Sequence, residues 1–313
     1  MNIKIQIGRA GVFTGLIFLS LLSACTSAQR AETSLSTDPI IRELTILPSI
    51  TDSRISAADV PHLIMYDPNA PQGKLLLFLP GTNGIPERGP KKLFEAAIDQ
   101  RYRVINLSYI NTQAVARICK DENLENDIDC TEKFRTQRVF GDQLMSLIPD
   151  EPQDAILNRF EKLLTHLDII DPDGNWDAYL ENGQPNWNNI TVTGQSQGGG
   201  MAAFIAKKID ISRVITFSGG WDYSAPEKIA KWYSNDSVTP LNRWYGVYHS
   251  QEPKAQTIDE TYKAMGIPAD HIYSLDGKVP EGRKAHGQGI RNVDYSDMWD
   301  VLFADGALIS SNP

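Results

Sequence analysis

Short apolar runs bounded by turn-forming residues recur along the chain, and most are followed by a stretch with the period of a helix. HLIMYDP (62–68) and KLLLFLPG (74–81) read as strands, KKLFEAAIDQ (91–100) places Leu93, Ala96 and Ala97 on one helical face, and YRVINLSY (102–109) returns as a strand. A β-helix-β unit is the simplest arrangement of these three pieces. Farther along, Ile156, Phe160, Leu163, Leu164 and Leu167 fall at helical spacing and predict a core-facing stripe. Strands are then expected at NITVTG (189–194), RVITFSG (213–219), WYGVYH (244–249) and HIYSL (271–275). Helices are expected at SQGGGMAAFIAKKI (196–209), TIDETYKAMG (257–266) and YSDMWDVLF (295–303). Strand and helix alternating in this way predict an α/β fold, a mostly parallel central sheet with helices on both faces. Residues 219–243 carry Trp221, Trp232 and Tyr233 without a clear period, and are the candidate for a small cap over a pocket.

The first residues follow another pattern. Lys4 and Arg9 precede AGVFTGLIFLSLL, an apolar run too short to span a bilayer comfortably, and this reads as a secretory signal over residues 1–24. Its end, LLSAC, resembles the lipobox of bacterial lipoproteins. That resemblance implies lipidation at Cys25, sorting to the outer membrane, and membrane contact only through that anchor; cleavage by an ordinary signal peptidase, giving a periplasmic or secreted protein, is the alternative. The polar residues 25–39 then form a tether, and residues 40–313 a catalytic domain.

Composition narrows the partners. The 313 residues are 41% hydrophobic and 22% charged, as in ordinary globular proteins, and the formal net charge is −9. Removal of Lys4 and Arg9 with the signal would make the charge more negative still. Such a balance argues against a nucleic-acid or anionic-lipid partner and favours neutral or cationic small molecules. With Cys25 assigned to the signal, Cys119 and Cys130 remain in CKDENLENDIDC, and an even pair in an exported chain predicts a disulfide. The acids between them lack the glycine-centred spacing of a calcium loop, and DPDGNWD (171–177) has its glycine misplaced for one, so both read as solvated turns.

The chemistry centres on GQSQG, with Ser196 between Gly194 and Gly198 at the junction of a β-branched strand and a small-residue helix. The pentapeptide alone recurs by chance, but this setting is that of a nucleophile elbow. A serine hydroxyl needs a base, and the base an orienting acid, in the chain order Ser, acid, His. Of five histidines, His62 precedes the serine, His166 lies in a helix with core period, His249 ends a strand and His271 begins one. His286, in a loop after the last strand and before the closing helix, is the candidate base. Glu252, just past the strand 244–249, is the candidate acid, with Asp222 after the preceding strand as alternative. The oxyanion donors are expected from the backbone N–H of Gln197 and of Thr82 in PGTNG, with Asn83 the alternative to Thr82. No metal or organic cofactor is implied.

LFLPGTNG, YRVINLSY, GQSQGGG, YGVYH followed by SQEP, and AHG stand in the order seen in the α/β-hydrolase superfamily, and resemble a group of secreted bacterial members of it. The likeness covers about residues 74–303. It implies a serine hydrolase that cleaves carboxylic esters through an acyl-enzyme with a Ser-Glu-His triad. An amidase or peptidase with the same triad, or a silent hydrolase fold kept for binding, are the alternatives. Two departures stand out: the residue before the serine is often histidine in that group and is Gln195 here, and the acid is glutamate rather than the commoner aspartate.

Overall fold

The computed structural model describes residues 40–304 and residue 306; the expected signal peptide, Cys25 and the tether lie outside the described residues. Eight strands form one sheet: β1 (Arg42–Ile46), β2 (His62–Tyr66), β3 (Leu75–Leu79), β4 (Arg103–Asn106), β5 (Ile190–Gln195), β6 (Arg213–Phe217), β7 (Trp244–His249) and β8 (Ile272–Leu275). Their order is β1-β2-β4-β3-β5-β6-β7-β8. β2 is antiparallel to both of its neighbours, and every pairing from β4 to β8 is parallel. This is the expected α/β-hydrolase fold.

The pleat explains why β3 has no polar residue. Leu75, Leu77 and Leu79 face one hydrophobic cluster, whereas Leu76 and Phe78 face another, and all five side chains are buried. The first cluster is closed by α2 (Cys130–Phe140), α3 (Ile156–Ile170), α4 (Gln197–Lys208) and α5 (Ala255–Ala264). The second is closed by α1 (Lys91–Asp99) and α6 (Ser296–Leu302), through Leu93, Phe94, Trp299 and Leu302. The predicted stripe of α3 holds throughout: Ile156, Phe160, Leu163, Leu164 and Leu167 are buried.

Two elements depart from the sequence reading. β1 was not anticipated: RELTI is a short strand on the sheet edge whose alternating exposure leaves little apolar signal. Residues 219–243, the candidate cap, border the Ser196 cavity through Gly220, Trp221 and Asp222 but bury two of the three aromatic residues singled out for it. Trp232 and Tyr233 are fully buried, their rings 3.9 Å apart, and Trp232 meets Phe204 of α4 edge-on at 5.3 Å. The segment forms a small hairpin, Tyr223–Ala225 with Lys228–Ile229, and then short turns that belong to the core. Its lack of periodicity reflects 3-10 turns, whose three-residue period never runs long enough to show. Trp221 and Tyr223 remain half-exposed at its start.

Cys119 and Cys130 form a disulfide with their Cα atoms 5.6 Å apart, closing a loop that contains the short helix Asp121–Asn126. The bridge ends at the first residue of α2. On the chain-entropy account, cross-linking a loop with a sequence separation of 11 stabilises by about 3 kcal/mol. Replacing both cysteines by alanine should therefore lower the free energy of unfolding by about that amount, and denaturant titration of the oxidised protein and the double variant measures it.

Candidate active site

Ser196 sits between the end of β5 and the start of α4 with φ 59° and ψ −121°, in the left-handed region that a β-carbon disfavours. Its N–H donates to the Phe217 carbonyl of β6 at 2.8 Å, which ties the turn to the neighbouring strand. The flanking glycines are required by contact. A β-carbon at Gly198 would lie 1.9 Å from the Leu79 carbonyl oxygen, and one at Gly194 would lie 2.5 Å from the Gly198 carbonyl group. Gly199 and Gly219 are similarly close-packed against each other's strand and helix.

The candidate base and the candidate acid are in contact. His286 Nδ1 and Glu252 Oε2 are 2.6 Å apart. A carboxylate only accepts, so Nδ1 carries the proton and Nε2 is left with its lone pair toward incoming donors. Glu252 itself is buried, and its Oε1 accepts from the Ser218 hydroxyl at 2.6 Å and from the His249 backbone N–H at 2.8 Å. Burial pushes its carboxyl pKa up, but the hydrogen bonds from His286, the His249 N–H and Ser218 outweigh it, and the net shift is downward from 4.5. Glu252 is therefore ionised at neutral pH.

His286 is brought to the elbow by a side chain that sequence reasoning passed over. Gln195 Nε2, from the residue before Ser196, donates to the His286 carbonyl at 3.0 Å. This glutamine thus ties the histidine loop to the elbow. Trp221 packs edge-on against the imidazole, ring centres 5.4 Å apart. The other histidines are engaged elsewhere: buried His62 accepts from the Ser108 N–H, His249 donates to the Gly277 carbonyl, and His271 stacks on Tyr245. His166 is on the helix α3.

Asp222, the alternative acid, is committed to a different partner. Its carboxylate is held in a two-pronged pair with Arg135 of α2, Nε to Oδ2 at 2.6 Å and Nη2 to Oδ1 at 2.8 Å, and also accepts from Trp232 Nε1 at 3.0 Å. Both side chains of the pair are almost fully buried. Position after a strand marked Asp222 as a candidate, but an arginine 87 residues away, invisible as a partner in the sequence, takes its charge.

The oxyanion candidates separate in the same manner. Asn83 has φ 60° and its N–H is directed at the Asn111 carbonyl, 3.4 Å away. Thr82 borders the same small cavity as Ser196 and Gln197. The Gln197 N–H is a first-turn donor of α4, with no helical carbonyl to bond. The Gln197 side chain braces the facing wall: its Oε1 accepts from the Val115 N–H at 3.1 Å and its Nε2 donates to the Asn111 carbonyl at 3.2 Å.

The sequence matches no protein-family model and no curated protein. Solved structures with a similar chain path include an acylaminoacyl peptidase of Pyrococcus horikoshii, with 12% identity and a TM-score of 0.49 over 87% of this chain and 42% of that one. An esterase of Pyrococcus furiosus has 10% identity and a TM-score of 0.44 over 84% and 91%. An S-formylglutathione hydrolase of Staphylococcus aureus has 10% identity and a TM-score of 0.43 over 84% and 94%. The chain spans less than half the length of the peptidase.

The two acids should respond differently to loss of charge. Glu252→Gln should cut turnover about 10³- to 10⁴-fold, because the histidine loses the partner that fixes its tautomer. Asp222→Asn leaves the Arg135 charge buried and unpaired and should cost about 3–5 kcal/mol of stability. Steady-state kinetics and denaturant unfolding on both variants make the comparison.

Acid gives a second check. A carboxyl whose pKa is depressed by folding favours the native state above its unfolded value, and that contribution is lost as pH falls through the folded value. The stability advantage of the wild type over Glu252→Gln should be full at neutral pH and shrink below about pH 4.5, which thermal unfolding across pH 3–7 would record.

Proposed function

We propose that the protein is a serine hydrolase acting on carboxylic esters through an acyl-enzyme, with Ser196 as nucleophile, His286 as base and Glu252 as the acid. The observation that carries this reading is the 2.6 Å contact of His286 Nδ1 with a buried, ionised Glu252, beside a serine held in a strained elbow.

In the first half-reaction Ser196 Oγ attacks the ester carbonyl carbon while His286 Nε2 takes the hydroxyl proton. The carbonyl oxygen becomes an oxyanion accepting from the backbone N–H groups of Thr82 and Gln197, whose residues line the same cavity as Ser196. Glu252 stabilises the imidazolium through Nδ1–H. Collapse of the tetrahedral species breaks the bond to the alkoxy group, which leaves as the alcohol with the proton from His286. Water, deprotonated by the same Nε2, then attacks the acyl-serine, and the carboxylic acid departs as Ser196 recovers its proton.

Export belongs to the same proposal, with residues 1–24 as signal and Cys25 as the lipid attachment of an outer-membrane lipoprotein. The Cys119–Cys130 bridge supports a compartment where disulfides persist.

Ser196→Ala should fold as the wild type does and lose nearly all ester turnover, retaining only the small rate that binding and the oxyanion donors supply. The wild type should be labelled by a fluorophosphonate probe and the variant should not. Equal turnover or equal labelling of the two would overturn the assignment.

A further inference from the structure

A cavity that borders Ser196 is also lined by Arg135, an arginine that keeps one donor without a partner among the described residues. Thr82, Val115, Arg135, Ser196, Gln197 and Trp221 are among the residues lining a cavity of about 30 Å³. That is room for only about two water-sized groups. Arg135 is 2% exposed, and the edge of its guanidinium that carries Nε and Nη2 is taken by Asp222. Nη1, on the other edge, is buried and has no hydrogen-bond partner among the described residues. A buried donor without an acceptor is costly, and it is found where a ligand atom is expected.

The direction of the reaction assigns this cavity to one side of the substrate. His286 must hand its proton to the departing alcohol, so the alcohol lies on the His286 side, where a cleft of about 440 Å³ is bordered by Trp221, Pro253, Lys284 and His286. The acyl chain then turns the other way, into the small cavity shared by Ser196 and the oxyanion donors. On the reading of the protein as an ester hydrolase, we infer that Arg135 Nη1 selects short acyl groups bearing a neutral oxygen acceptor on the carbon next to the carbonyl, as in hydroxyacetyl or alkoxyacetyl esters. A neutral oxygen fits better than a carboxylate because Asp222, which lines the same cavity, already compensates the arginine charge, and an anionic acyl group would add uncompensated negative charge beside it.

The test uses an isosteric pair, nitrophenyl methoxyacetate and nitrophenyl butyrate, which differ by an oxygen in place of a methylene. The kcat/KM ratio of the pair is divided by the ratio of their hydroxide-catalysed rates, which removes the intrinsic activation by oxygen. The wild type should keep a corrected preference for methoxyacetate of about tenfold or more, the usual worth of a hydrogen bond to a charged donor. Arg135→Lys retains a cation for Asp222 but lacks Nη1, and its corrected ratio should fall toward one. Gly200→Ala is an independent variant that leaves Arg135 in the sequence: its β-carbon would lie 2.5 Å from Nη2 and must displace the guanidinium, and it should reduce the ratio as well. Because each ratio is internal to one variant, general damage to the nucleophile cancels. A corrected ratio near one in the wild type, or a preference that survives in both variants, overturns the role of Arg135 while leaving the hydrolase reading intact. Hydrolysis of both esters unaffected by Ser196→Ala would instead overturn the hydrolase reading.

Discussion

The site rests on the absence of side-chain volume where β3, β5 and α4 meet. Gly198 approaches the Leu79 carbonyl so closely that a β-carbon there would fall inside bonding range of backbone atoms, and Gly194 is blocked by Gly198 in turn. These contacts let α4 start directly over the end of β5, and the only residue between them, Ser196, takes a left-handed conformation. Such a backbone costs about 1–3 kcal/mol and persists only where its surroundings over-determine it. Here they do, through the Ser196 N–H bond to β6, the parallel pairings of β5 with β3 and β6, and a helix whose first eleven residues are all buried. Strain is the consequence of placing a hydroxyl at the rim of the sheet with the first-turn amides of α4 beside it.

Around that fixed point, the remaining parts hang from neighbouring strands in order. β6 ends at Phe217 and delivers Ser218, whose hydroxyl holds Glu252; β7 ends at His249, whose N–H holds the same carboxylate. The acid is therefore gripped by the ends of two adjacent parallel strands before it meets His286. A glutamate in place of an aspartate adds one methylene, and this extra reach is absorbed by the tight turn in which the Glu252 N–H bonds back to the His249 carbonyl. Gln195 then couples the histidine loop to the elbow itself. Ser196, Glu252 and His286 are thus tied to one another through residues at the ends of β5, β6 and β7.

A second buried polar assembly shapes the opposite wall. Arg135 and Asp222 join α2 to the segment after β6, Trp232 reinforces Asp222, and the arginine guanidinium lies 5.2 Å from the Trp232 ring. The disulfide fixes the start of α2, five residues ahead of Arg135. Loop rigidity far from the serine in sequence thereby bears on the cavity beside it. The same network holds Trp232 and Tyr233 in the core, while Trp221 stays at the rim of the cavity.

What the sequence determined by itself is what depends on neighbours along the chain. The apolar run of β3, the stripe of α3 and the glycine spacing of the elbow express local period and local sterics, so the fold, the turn that carries Ser196 and the cysteine pair were legible. Chain order after the last strand likewise singled out His286 as the candidate base, since it leaves few histidines to choose among. The choice between Glu252 and Asp222 was not legible, since both follow strands and both are carboxylates. What distinguishes the two carboxylates is their partners distant in sequence, Ser218 and His286 for one and Arg135 for the other. The same holds for Asn83, whose N–H is directed at the Asn111 carbonyl, and for Gln195, whose amide has meaning only once the histidine loop folds over it. β1 and the residues 219–243 escaped the pattern because a half-exposed edge strand and 3-10 turns, of which only Lys231–Ser234 buries its aromatic side chains, carry no sustained period. Hydrogen-bond pairing among buried groups is settled by three-dimensional proximity, and a one-dimensional pattern carries no record of it.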